Sequence, residues 1–79
     1  MDPLKRKELE ERVFEEVQTI LTEGDRPYLQ RLSHAALLEA LENELRFLGL
    51  YVHGDSETPA AIHALLEQHL DQWRTEYIL

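Results

Sequence analysis

Cysteine is absent from this 79-residue sequence. That excludes disulfides and thiolate metal sites. No apolar run approaches the ~18–20 residues of a membrane-spanning helix. The first residues, MDPLKRKELEER, have no apolar stretch behind their charges, so no secretory signal is expected. Cations are scarce, with eight Lys and Arg against sixteen Asp and Glu and a formal charge of −8. Nonspecific affinity for nucleic acid comes from Lys and Arg neutralising phosphates. Direct nucleic-acid binding is therefore not expected, whereas an acidic surface suits a basic protein partner. There is no repeat and no low-complexity tract. A reducing cytoplasm is compatible with the missing thiols, and cytoplasmic is the expected location.

Length sets the next limit. Residues 1–79 make one helical domain, and a single core of that size is marginal. Small domains compensate with disulfides, a metal or oligomerisation. With the first excluded, idealised helix packing or self-association remains.

The richest apolar stretch is SHAALLEALENELRFLGL, residues 33 to 50. Ser33 is suited to cap a helix, and the Ala, Leu and Glu that follow are strong helix formers. Leu37, Leu38, Leu41, Leu45 and Leu48 recur at steps of three and four, on one face. Ala36, Ala40 and Phe47 form a second stripe beside it. Together they cover about half the circumference, wider than the ~100° of a helix resting on one partner. Such a helix either sits centrally in its own bundle or buries its second stripe against another chain. Glu44 falls between the stripes, either at the rim of the core or buried to meet a partner's cation.

Before this stretch, Asp2-Pro3 pairs a cap residue with a first-turn proline, opening a helix over about residues 3–22. Leu9, Val13, Phe14, Val17, Ile20 and Leu21 are its apolar stripe, and Glu8 and Arg12 are spaced for an ion pair. Lys5, Arg6 and Lys7 sit in the first turns, where the helix dipole disfavours cations. Gly24 is expected to end this helix in the left-handed conformation. Arg26 precedes Pro27 and is expected to be extended. A short helical turn near 27–32 would drop Tyr28, Leu29 and Leu32 onto the core. The second main helix follows at about 34–48, closed by Gly49. Leu50-Tyr51-Val52-His53 reads as extended and Gly54-Asp55-Ser56-Glu57 as a turn. Thr58-Pro59 then starts a third helix over about 59–77, with Ile62, Leu65, Leu66, His69, Leu70, Trp73 and Tyr77 on one face. The expectation is an all-α bundle of three main amphipathic helices.

Chemistry is harder to find. None of the four histidines, His34, His53, His63 and His69, lies four residues from another, so no helix face carries two imidazoles. His53 with Asp55 and Glu57 is the one loop group that could gather around a cation, and no metal site is expected. His69, mid-stripe between Leu66 and Trp73, reads as a partly buried ring bonded to one acceptor or as a pH-sensitive contact at a helix seam. Ser33 reads as a cap and Ser56 as a turn residue, and neither has a neighbour that would activate it. No phosphate loop, dinucleotide fingerprint or zinc-protease motif is present. No catalytic residue, no cofactor and no enzyme are expected. Trp73, Tyr77, Ile78 and Leu79 include the residue types that dominate binding hot spots. Exposed, they would anchor in a partner's groove; packed back, they would finish the core.

Glu10-Glu11-Arg12-Val13, Ala40-Leu41-Glu42-Asn43-Glu44-Leu45 and Thr58-Pro59-Ala60-Ala61-Ile62 resemble parts of the first, second and last helices of acyl and peptidyl carrier proteins. The likeness covers about half the chain and implies a carrier-like helical fold. Carriers attach phosphopantetheine to the Ser of an Asp-Ser-Leu type motif. Alignment on residues 40–45 puts Gln30-Arg31-Leu32 there, with Ser33 next to it and His34 following. The stretch from Glu23-Gly24-Asp25 to Leu32-Ser33 is similar to the first, irregular loop of the S100 calcium proteins. The Glu needed after the Ser and the second, regular loop are missing, so calcium is not expected.

Taken together, the residues predict a small acidic interaction or regulatory module that docks on a protein partner through a helix face, with acidic rims steering the encounter. Ala36, Ala40 and Phe47 are the candidates for homodimer contacts, and Trp73, Tyr77, Ile78 and Leu79 for a partner. A carrier-like domain and an acidic inhibitor that imitates nucleic acid are the alternatives.

Overall fold

Buried apolar residues from every helix meet in one core in the computed structural model, which describes residues 2–51 and 54–79. Among these residues the order is α1 (Pro3–Glu23), α2 (Arg26–Arg31), α3 (His34–Phe47) and α4 (Glu57–Trp73), the last continued by a π-helical turn, Arg74–Ile78. The chain is all-α, as its periodicity predicts.

α1 begins as expected. The Leu4 N–H donates to Asp2 Oδ1 at 3.1 Å, and Pro3 occupies the first helical position. Val13, Val17 and Leu21, four residues apart, are its buried row. Its end corrects one expectation. Gly24 is extended (φ −74°, ψ 168°), not left-handed. Glycine is needed there for space: a Cβ would lie 2.9 Å from the Ile20 carbonyl oxygen and 3.0 Å from Leu29 Cδ1.

That close approach carries the chain directly into α2. The extended residue is Asp25 (φ −73°, ψ 104°), while Arg26 is already helical, contrary to the expectation from its proline neighbour. The pre-proline preference is outweighed here. Pro27 falls where a helix has no partner for its N–H in any case. The turn also closes a bond from Leu29 N–H to Asp25 O at 2.9 Å and buries Leu29. Tyr28, expected on the core, is instead more than half exposed, and Leu32 is only partly buried.

α3 starts as its sequence reads but ends at Phe47, with Leu38 only partly buried and Leu48, expected on the buried face, exposed. The Ala36 N–H donates to Ser33 Oγ at 3.1 Å, and Leu37, Leu41 and Leu45 are buried. Gly49 takes φ +83°. Around it the Leu50 N–H donates to Leu45 O and the Gly49 N–H to Arg46 O, both at 3.1 Å. This pair of bonds is the Schellman arrangement, which satisfies carbonyls that the helix end leaves free. Leu50 then turns into the core. Val52 and His53, the rest of the expected extended run, lie outside the described residues, and so does the His53 member of the loop group.

α4 starts two residues earlier than Thr58-Pro59 suggests. Asp55 provides the cap: its Oδ1 accepts from the Glu57 N–H at 2.8 Å and its Oδ2 from the Thr58 hydroxyl at 2.7 Å. Thr58 is buried inside the first turn, so its hydroxyl needs that partner. The Thr58 hydroxyl bond, and after it the Glu57 N–H bond, hold the Asp55 carboxyl below the usual carboxylate range. A carboxyl whose pKa is lower folded than unfolded adds stability above its unfolded pKa and loses it as pH falls through the folded value. The urea midpoints of the wild type and Asp55→Ala should therefore differ by a constant amount above about pH 5 and converge below it. A gap independent of pH would rule out this account.

The end of α4 corrects a second boundary. From Trp73 an α-helix would return Tyr77 to the buried face. The π turn, closed by the Leu79 N–H donating to Arg74 O at 2.9 Å, carries Ile78 there instead. Ile78 is fully buried, Tyr77 is half-buried, and the Gln30 amide of α2 donates to the Ile78 carbonyl at 2.9 Å.

Candidate functional site

The helices place the expected contact residues very differently. Trp73 and Ile78 belong to the core, so the burial of these two removes them as partner anchors. Tyr77 packs against the same core at its edge, and only Leu79 of that group stands out, 72 % exposed. Phe14, His69 and Trp73 form an aromatic cluster between α1 and α4. Phe14 meets His69 edge-on with centroids 4.9 Å apart, and His69 lies 5.5 Å from Trp73. The neighbours of His69 are thus rings, where a hydrogen-bond acceptor was expected. Phe47 is 87 % exposed on α3. Ala36 and Ala40 are half-buried, and the stripe they form with Phe47 is not covered by another helix along its whole length.

Beside that stripe runs a groove. It lies between the C-terminal half of α1, the α2 turn and α3, with a cavity volume of about 540 Å³. Ile20, Leu29, Leu37 and Leu41 contribute its apolar floor, and Ala40 and Leu48 extend it along α3. Tyr28 also lines it and is more than half exposed. Glu16, Glu23, Asp25 and Glu44 also line it, and no Lys or Arg does. Glu44 is exposed, so the reading of it as a rim carboxylate is the one the structure supports. Continuing by helical steps, Ala40, Glu44 and Phe47 make one row, which brings the exposed ring to the groove's α3 edge.

Two histidines work elsewhere, tying α3 to α4. His63 Nδ1 is 2.7 Å from Glu42 Oε1. His34 Nε2 is 3.2 Å from Glu67 Oε1, and its Nδ1 is 3.6 Å from Asp71 Oδ1. All but Glu42, which is half-buried, are well exposed, and exposed pairs of this kind contribute at most about 1 kcal/mol each. The two nitrogens of His34 face different carboxylates, so the group does not converge on one point. Among the described residues no group of three or more His, Asp or Glu is placed to hold a metal ion. No helix of the described residues is long and apolar enough to cross a membrane. Ser33 is the α3 cap, as expected. Tyr51 packs under the Arg46 guanidinium, 4.8 Å from its ring centroid, and burial followed by the nearby Glu42 charge pushes its phenol pKa up.

No family model, curated protein or solved structure matches this chain.

Ile20 and Leu29 pack in or against the core, as the sequence predicts, and also line the groove. The groove is lined by α1, by the turn from Gly24 to Leu29 and by α3. The missed signal was Gly24 itself: a glycine beside a short apolar turn marks a close approach as readily as a left-handed cap.

Proposed function

We propose that this chain is a protein-interaction module whose α1–α2–α3 groove takes a cationic amphipathic segment of a partner protein. The observation that carries this reading is the composition of the groove, an apolar floor with four carboxylates and no cation. Burial of the partner's apolar residues on the accessible part of the lining, Ile20, Tyr28, Ala40 and Leu48, supplies affinity. The rim carboxylates accelerate encounter with a basic partner and disfavour acidic ones. Phe47 extends the contact beyond the α3 edge, and aromatic side chains are the usual anchors of such surfaces. The mechanism is steric and electrostatic, with no covalent step.

The test is an NMR titration of the labelled protein with a synthetic Leu/Lys amphipathic helix and with its Leu/Glu counterpart. The Leu/Lys peptide should shift the amides of Ile20, Leu29, Ala40 and Leu41, and its affinity should fall as salt rises. Reversing Glu23 and Glu44 to Lys should weaken it on the order of tenfold. Equal binding of the Leu/Glu peptide, or shifts confined to another face, would remove this reading.

A further inference from the structure

The first turns of α1 are as unusual as the groove. Residues 2 to 8 are all exposed, and Leu4 is 63 % exposed. Three consecutive cations, Lys5, Arg6 and Lys7, follow it in a chain of net charge −8. A helix end this exposed gains little from tertiary packing, where most helical stability arises. This end also has what the groove lacks, a cluster of cations.

The charge pattern along α1 is self-complementary. Lys5, Leu9 and Arg12 precede Glu16, Ile20 and Glu23 at steps of three and four, so all six share one face. The first half of that face is basic and the second half, which lines the groove, is acidic. Two such faces laid antiparallel and centred on position 14 bring Lys5 opposite Glu23 and Arg12 opposite Glu16, twice over. Arg12 Nη2 also donates to Leu48 O at 3.5 Å, so the end of α3, with the exposed Phe47 next to Leu48, lies beside the centre of this pairing.

We infer that the occupant of the groove is the first half of α1 from a second copy of this chain, paired antiparallel in a twofold dimer through Lys5–Glu23, Arg12–Glu16 and a shared apolar seam of Leu9, Ile20 and Phe47. The arrangement is isologous: each copy offers its basic end and accepts the other's in its acidic groove. Net repulsion between two acidic chains acts at long range and is screened beyond about 8 Å at physiological salt. The facing pairs are in contact and are screened less. This inference rests on the groove being a docking site and names what fills it.

A charge exchange tests it. One variant carries Lys5→Glu and Arg12→Glu; the other carries Glu16→Lys and Glu23→Lys. Each variant alone places like charges opposite one another at every pair, and the two together restore all of them. Sedimentation equilibrium should show a wild-type dimer, each variant dissociating more than tenfold more readily, and recovery of the dimer in an equimolar mixture. Should a four-charge variant melt early, Lys5→Glu against Glu23→Lys makes the same exchange on two exposed side chains. A monomeric wild type, variants that dimerise like the wild type, or folded variants that stay monomeric when mixed would each overturn the proposal. Titrating the dilute monomer with the Leu/Lys peptide separates the two readings. Peptide binding in the groove without self-association overturns the second-copy inference and leaves the docking site standing.

Discussion

Ile78→Ala is expected to lower stability by about 2–5 kcal/mol, the usual cost of emptying a fully buried aliphatic site. Natural domains hold about 0.05–0.15 kcal/mol per residue. For this chain that is a few to about twelve kcal/mol, so the single change removes a large share. The effect depends on the π turn. Ile78 is 0 % exposed because the wider turn carries it, and not Tyr77, to the face that Trp73 leaves. Its carbonyl is held by Gln30, so the same residue ties the end of the chain to α2. Leu79, one residue on, is 72 % exposed, and its change to alanine should stay within about 0.5 kcal/mol. Urea unfolding followed by circular dichroism compares the two directly. Similar midpoints for Ile78→Ala and Leu79→Ala would show that the π register is not the one occupied in solution.

Gly24→Ala should also destabilise, although glycine replacement outside a left-handed site usually helps. At φ −74° the backbone is acceptable to any residue. Restricting the unfolded chain would then add about 0.4–1 kcal/mol of stability. Against this, the new Cβ meets the Ile20 carbonyl oxygen at 2.9 Å. That oxygen accepts the Gly24 N–H at 3.0 Å, so it cannot move away without loosening the end of α1. Leu29 Cδ1 at 3.0 Å is the second obstacle, and displacing it opens the core under α2. Overpacking of this kind costs about 1–3 kcal/mol. The steric term is the larger, and a net loss of about 1–2 kcal/mol is expected. The same shift deforms the groove floor at Leu29, so affinity for the cationic peptide should fall with stability. A neutral or stabilised Gly24→Ala would show that α2 yields without cost and that the turn is held by other contacts.

The candidate surface was legible in parts. Phe47 stood out because it completes a second apolar stripe that one helix cannot bury, and it is the most exposed of the large apolar side chains described. Trp73 and Ile78 share residue types with hot spots, but a side chain's type does not say which way the chain end turns. The two readings of the tail, anchor or core, differ by one residue of helical register. The rim acids were visible as charges and not as a group. Glu16 and Glu23 lie on α1, Asp25 at the turn and Glu44 on α3, and no local pattern links positions so far apart in sequence.

What the sequence by itself determined is therefore what local physics controls. The all-α class follows from spacing at three and four. The starts of α1 and α3 follow from Asp2 and Ser33, whose side chains reach backbone N–H groups only two or three residues away. The end of α3 follows from Gly49, since only glycine takes φ +83° there without penalty. The tertiary structure decided the rest: the extended Gly24, the helical Arg26, the switch from Tyr77 to Ile78, and the open seam that becomes a groove. The switch to Ile78 goes with the bond from Gln30, a contact between segments distant in the chain, and the extended Gly24 with the close approach of Ile20 and Leu29. Burial and close approach are properties of the assembled bundle. They override preferences worth a few tenths to about one kcal/mol per residue, which is all that local propensity supplies.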